Sequence, residues 1–171
     1  IGRQQLLVDE FFGWWRAWDG IRALDYLVSR PEVDTEHLGL TGISGGGTMT
    51  TLITANEPRL TMSAPGCYVT TWRRETENEL PADAEQMPPR ILGMGMEMYD
   101  MLAPHIPKSL ILLAQESDYF DQRGSLEACE RLAHIYRLLG VEDQPGYYVG
   151  AGGHDCTKPM REAMVAHFAA A

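Results

Sequence analysis

The chain has 171 residues, 44% of them hydrophobic and 22% charged, with a formal net charge of −10 at neutral pH. That length carries one domain, residues 1–171, with a real core. The negative charge excludes nucleic acid and anionic membrane as main partners, because both require a basic face. No apolar run approaches a membrane span and no signal-peptide pattern is visible. Because the chain opens on Ile1 rather than Met, a segment upstream is expected and the compartment is left unassigned. Three cysteines, Cys67, Cys129 and Cys156, are too few and too irregular for a disulfide framework or a zinc site, so no metal and no cofactor is expected.

Residues 1–13 form a leader containing Leu6, Leu7, Val8 and the pair Phe11 and Phe12. Trp14 to Arg30 is predicted as a helix, since Trp14, Trp18, Ile21, Leu24 and Val28 recur every three or four residues, and the stripe reads as core. Pro31 ends it, and a turn leads into His37–Ile43, a short buried strand. Gly42-Ile43-Ser44-Gly45-Gly46 follows, and Gly47 to Asn56 reads as a helix stopping near Pro58. Strand, G-x-S-x-G and helix is the setting in which the motif is a nucleophile elbow. The tight turn strains the serine backbone and lifts its hydroxyl above the sheet. Gly42 and Gly46 are expected to be small because larger side chains there would collide.

Leu60 to Ala64 reads as a second strand, broken by Pro65 and Gly66, with Cys67 to Thr71 continuing outward. Residues 72–90 are polar, acidic and proline-containing, an excursion from the sheet of the kind that carries substrate contacts. Residues 90–102 are predicted as a helix in which Met94, Met96, Met98 and Met101 fill the core. Ser109–Ala114 is the clearest buried strand, followed by a loop holding Glu116, Asp118 and Asp121. Gly124 to Leu139 is an amphipathic helix with Leu126, Cys129, Leu132, Tyr136 and Leu139 on one face, closed by Gly140. Gly146–Gly150 reads as a last strand. The loop Ala151-Gly152-Gly153-His154-Asp155 follows, and then a helix capped by Thr157 with Pro159 in its first turn. Strands alternating with helices imply an α/β fold with a mostly parallel sheet.

A serine hydroxyl needs a base, usually a histidine held by a carboxylate. In parallel α/β sheets such groups collect at the C-terminal ends of the strands. His37 lies at the wrong end of its strand, His134 and His167 lie inside helices, and His105 precedes a strand between two prolines. Only His154 follows a strand, in a loop whose glycines let the ring reach inward. Asp118 is the expected carboxylate and Asp121 its main rival. Ser44 would attack an ester carbonyl, with the N–H of Gly45 as one oxyanion donor; a second donor is not evident, and the substrate-binding residues stay unassigned.

The chain resembles the α/β-hydrolases, more narrowly their acetyl xylan esterase and prolyl-oligopeptidase-like branch. The resemblance rests on Trp18-Asp19-Gly20-Ile21-Arg22-Ala23-Leu24-Asp25-Tyr26-Leu27 and on Gly39-Leu40-Thr41-Gly42-Ile43-Ser44-Gly45-Gly46-Gly47-Thr48. It continues through Glu79-Leu80-Pro81-Ala82-Asp83-Ala84-Glu85-Gln86, Ser117-Asp118-Tyr119-Phe120-Asp121 and Gly153-His154. It implies a three-layer sandwich of which this chain is the C-terminal half, with Ser44, Asp118 and His154 as the catalytic triad. It also implies that several strands and the first oxyanion loop precede the helix at residues 14–30. Without them the strand before Ser44 becomes an edge, which a second copy of the chain or a missing N-terminal segment is expected to cover. The implied activity is a serine carboxyl-ester hydrolase acting on small acyl esters such as acetyl, on carbohydrates among other substrates. The alternatives are a serine peptidase of the prolyl-oligopeptidase type and an inactive hydrolase-like binding or assembly module.

Overall fold

The structure is a computed structural model that describes residues 2–78, 82–141, 143 and 145–171. Its elements are helix α1 (Gly2–Leu6), α2 (Phe12–Val28), strand β1 (Gly39–Ile43), α3 (Gly45–Asn56), β2 (Met62–Gly66) and α4 (Trp72–Glu77). A 3-10 helix (Met98–His105), β3 (Ser109–Gln115), α5 (Gln122–Leu138), β4 (Gly146–Gly150) and α6 (Lys158–Ala170) complete them. The four strands are all parallel and lie in the order β1-β2-β3-β4. None of the described helices is long and apolar enough to cross a membrane.

Alternation along β3 divides the core into two layers. Leu110 and Leu112 face a large cluster with Leu52, Ile53, Leu102, Ala128 and Leu132, contributed by α3, the 3-10 helix and α5. Ile111 and Leu113 face a smaller cluster with Ala64, Cys67 and Met160, closed by Met164 and Phe168 of α6. A strand apolar on both faces is the mark of a sheet covered on both sides. β1 differs: it is an edge, and its Gly39 and Thr41 are exposed.

Four local expectations are corrected. The tryptophans of α2 are not core: Trp14 is 46% and Trp18 56% exposed, with the Arg22 guanidinium 4.3 Å above the Trp18 ring. The buried face is made instead by Gly13 and Ala17, while Ile21, Leu24 and Val28 pack partly against the core. A Cβ on Gly20 would meet Ile53 Cδ1 at 2.3 Å, so small residues set the approach of α2 to α3 and turn the indoles outward.

Pro65 and Gly66 do not break the second strand; they lie inside β2, paired with Gly42 and Ile43 of β1. The missing proline N–H is tolerated because pairing with β3 runs through Met62, Ser63 and Gly66 and omits Ala64 and Pro65. The expected helix over 90–102 is a run of turns followed by the 3-10 helix, which begins at Met98. Arg90 and Gly95 take left-handed conformations, φ 67° and 68°, which no α-helix accommodates. Met98 and Met101 are buried, whereas Met94 is exposed. On α5, Cys129, Leu132 and Tyr136 are buried as expected, but Leu126 and Leu139 point to solvent.

The excursion is anchored rather than loose. Trp72 is buried and its indole N–H donates to Met96 O at 3.0 Å. The Tyr68 hydroxyl donates to Gln86 O at 2.8 Å. Glu79, Leu80 and Pro81 of the family-like segment lie outside the described residues.

Candidate active site

Ser44 sits between β1 and α3 with φ 61° and ψ −123°, a backbone region that side chains rarely occupy. Its N–H donates to Gly66 O at 3.0 Å, tying the bend to β2, and its carbonyl accepts the Thr48 N–H at 2.9 Å. The steric need for glycine falls differently from the expectation. A Cβ on Gly42 would lie 2.5 Å from Gly46 O, and one on Gly47 2.3 Å from Gly66 O. A Cβ on Gly46 would meet nothing within 4 Å, so Gly42 and Gly47 are the positions where the bend admits no side chain. Space is also open beside Gly45, which begins α3. The first-turn N–H groups of a helix have no partner within it and carry partial positive charge, so this end of α3 suits a developing oxyanion.

Asp118 follows β3 and its side chain is fully buried. Its Oδ1 accepts the Phe120 N–H at 3.0 Å and the Nδ1–H of His154 at 2.9 Å. A carboxylate accepting at Nδ1 fixes the tautomer that leaves Nε2 free to take a proton. The ring is also stacked on Tyr119, centroids 4.2 Å apart at 31°, with Phe120 at 5.9 Å. Asp121 is employed elsewhere. It caps α5 through the Arg123 N–H at 2.8 Å and pairs with the Arg123 guanidinium, which holds its carboxyl below the usual range. Glu116 is exposed.

The histidine loop is held by Gln115, buried at the end of β3. Its amide donates to Asp155 O at 3.1 Å and Thr157 Oγ1 at 3.2 Å. Ser117 N–H donates to Gly152 O at 2.8 Å and Glu116 N–H to Gly150 O at 2.9 Å. Three of the other four histidines are occupied. His37 pairs with Asp34, His105 is buried against Ser109 O, and His167 meets Ser109 Oγ. Ser44, Asp118 and His154 thus emerge at the C-terminal ends of β1, β3 and β4, on one rim of the sheet.

Three nearby features escape a sequence reading. Tyr119 is adjacent to Asp118 but nothing in its context announces a ring stack. Glu75 is buried in α4 with its Oε2 unpartnered, and burial, then Asp83, raises its pKa to about 7. Cys67, one residue past β2, has a left-handed φ of 49° and a buried side chain. Its Sγ, an Asp118 carboxylate oxygen and a His154 ring nitrogen all lie within 4.8 Å of one another, the group of three metal-type donors found among the described residues.

A parallel sheet flanked by helices, with a strained serine after one strand and an Asp–His pair carried by later strand ends in the chain order Ser, Asp, His, defines an α/β-hydrolase fold. Within that fold, residues 10–91, just under half the chain, match the prolyl oligopeptidase family. No curated protein matches by sequence. Among solved structures, a glucuronoyl esterase from Solibacter usitatus superposes with a TM-score of 0.75 at 23% identity, over 90% of this chain and 47% of that one. The glucuronoyl esterase catalytic domain from Hypocrea jecorina gives 0.73 at 19%, over 89% and 49%. Methylesterase BT1017 gives 0.70 at 25%, over 91% and 34%. The chain spans about half the length of these glucuronoyl esterases.

Proposed function

We propose that the chain is the catalytic half of a serine carboxyl-ester hydrolase acting on carbohydrate esters. The observation that carries this reading is the buried Asp118 carboxylate bonded to His154 Nδ1 on the same rim as the strained Ser44. Ser44 Oγ attacks the ester carbonyl carbon while its proton passes to His154 Nε2, and Asp118 steadies the imidazolium. The oxyanion accepts the Gly45 N–H, a contact typically worth a few kcal/mol. Collapse expels the alcohol with the proton from His154. Water, deprotonated by the same nitrogen, then cleaves the acyl-enzyme and restores Ser44.

Structures named as glucuronoyl and methyl esterases favour an ester of an acidic sugar over a simple acetyl ester. The match to the prolyl oligopeptidase family favours a peptide bond instead. A fluorophosphonate is expected to add to Ser44, and Ser44→Ala to abolish hydrolysis of 4-nitrophenyl acetate. An unlabelled Ser44 in folded protein overturns the reading. Relative kcat/KM on an acetyl ester, a glucuronate ester and a prolyl peptide then ranks the substrates. In this reading a second copy of the chain covers the edge of β1. Sedimentation is therefore expected to show self-association of the 171-residue chain, and a stable monomer counts against the second copy.

A further inference from the structure

Asp118 Oδ2 is buried and meets no hydrogen-bond partner among the described residues. A charged oxygen left without a partner at a site sealed from water is costly, and native structures rarely leave one. Cys67, buried and at a left-handed backbone position, brings its Sγ within 4.8 Å of an Asp118 carboxylate oxygen, and a ring nitrogen of His154 lies within the same distance of both. Sulfur, oxygen and nitrogen donors therefore converge from the ends of three different strands, β2, β3 and β4. That donor set suits a borderline-soft divalent ion rather than magnesium or calcium, which take oxygen ligands.

We infer that Cys67, Asp118 and His154 form a binding site for a thiophilic divalent cation of the zinc type, and that filling it switches the rim off by withdrawing the imidazole from proton transfer. Zinc bonds to sulfur at about 2.3 Å and to imidazole nitrogen at about 2.0 Å, so donors within 4.8 Å of one another need to draw in by less than about 1 Å each. Charge balances: the cation replaces the thiol proton, which leaves to solvent, and a thiolate plus a carboxylate neutralise the dication with the imidazole neutral. Three protein ligands leave a fourth position for water. The binding site stands apart from the hydrolase reading, whereas the switch rests on it.

Cadmium is the probe, added to the chelator-treated 171-residue chain while the ultraviolet thiolate-to-cadmium charge-transfer band is followed. One equivalent is expected to bind, and the band is expected to persist in Cys156→Ser and Cys129→Ser and to vanish in Cys67→Ser. Asp118→Asn, which keeps the thiol, is expected to weaken binding at least about tenfold and serves as the discriminating variant should Cys67→Ser not fold. Turnover of 4-nitrophenyl acetate is expected to fall below about a tenth on loading and to return with a chelator. No band in the parent chain, a band that survives Cys67→Ser, or equal affinity in Asp118→Asn overturns the site. A chain that binds cadmium but hydrolyses no ester removes the hydrolase reading and keeps the site; one that hydrolyses esters with cadmium bound keeps the reading and removes the switch.

Discussion

The two ends of the sheet treat their histidines in opposite ways. At the N-terminal end His105 is buried against Ser109 O and the half-buried His167 meets Ser109 Oγ, each ring spent on a neighbouring acceptor or hydroxyl. Burial holds both below the usual histidine range, His105 at about 4. At the C-terminal end His154 is only partly buried, its Nδ1 takes a buried carboxylate, and the backbone at Ser44 and Cys67 is held in unfavourable regions. One end satisfies its polar groups and so contributes order. The other keeps strain and unspent donors and acceptors, which is where chemistry is possible.

The sharpest way to break this contrast is at Asp118. Asp118→Asn is expected to lower kcat on 4-nitrophenyl acetate by about 10³-fold or more, because the wrong imidazole tautomer is then favoured. Asp121→Asn, which changes a helix cap bonded to Arg123, is expected to stay within about threefold. Equal losses at both positions would remove Asp118 from its role.

The opposite end is tested by acid. The folded pKa of His105, about 4, lies below its unfolded value of 6.5, so the unfolded chain binds more protons between them. Stability is therefore complete above pH 6.5 and lost as pH falls toward 4, by on the order of 3 kcal/mol. His167 acts in the same direction. Urea midpoints at pH 7 and pH 4.5 are expected to differ for the parent chain and to differ less in His105→Gln, with turnover at pH 7 unchanged.

The smallest expected effect separates two glycines of the bend. Gly42→Ala must displace the backbone at Gly46 and is expected to destabilise by about 1–3 kcal/mol and to reduce turnover. Gly46→Ala points into open space and is expected to stay within about 0.5 kcal/mol. Denaturant unfolding of the two variants checks this directly.

Legibility in the sequence followed the range of the physical cause. The elbow is a local object, so Gly42 to Gly46 announced it between a strand and a helix. His154 is singled out by elimination, because only one histidine follows a strand. What failed was set by distant contacts. The indoles of α2 matched a helical stripe, yet the close approach of Gly20 to Ile53 placed them outside. Pro65 looked like a strand breaker because the ladder gap that tolerates it is made with β3, more than forty residues away. The Cys67 cluster joins three strand ends and leaves no trace in spacing.

Gln115 has a consequence for how the rim moves. By clasping Asp155 and Thr157 from the end of β3, it makes Asp118 and His154 one mechanical block, so thermal motion carries them together. The serine belongs to the other block, stitched to β2 through Gly66. The seam between the blocks is the β2–β3 ladder, thinned where Ala64 and Pro65 go unpaired. Misalignment of Ser44 and His154 would thus start as slippage along that seam.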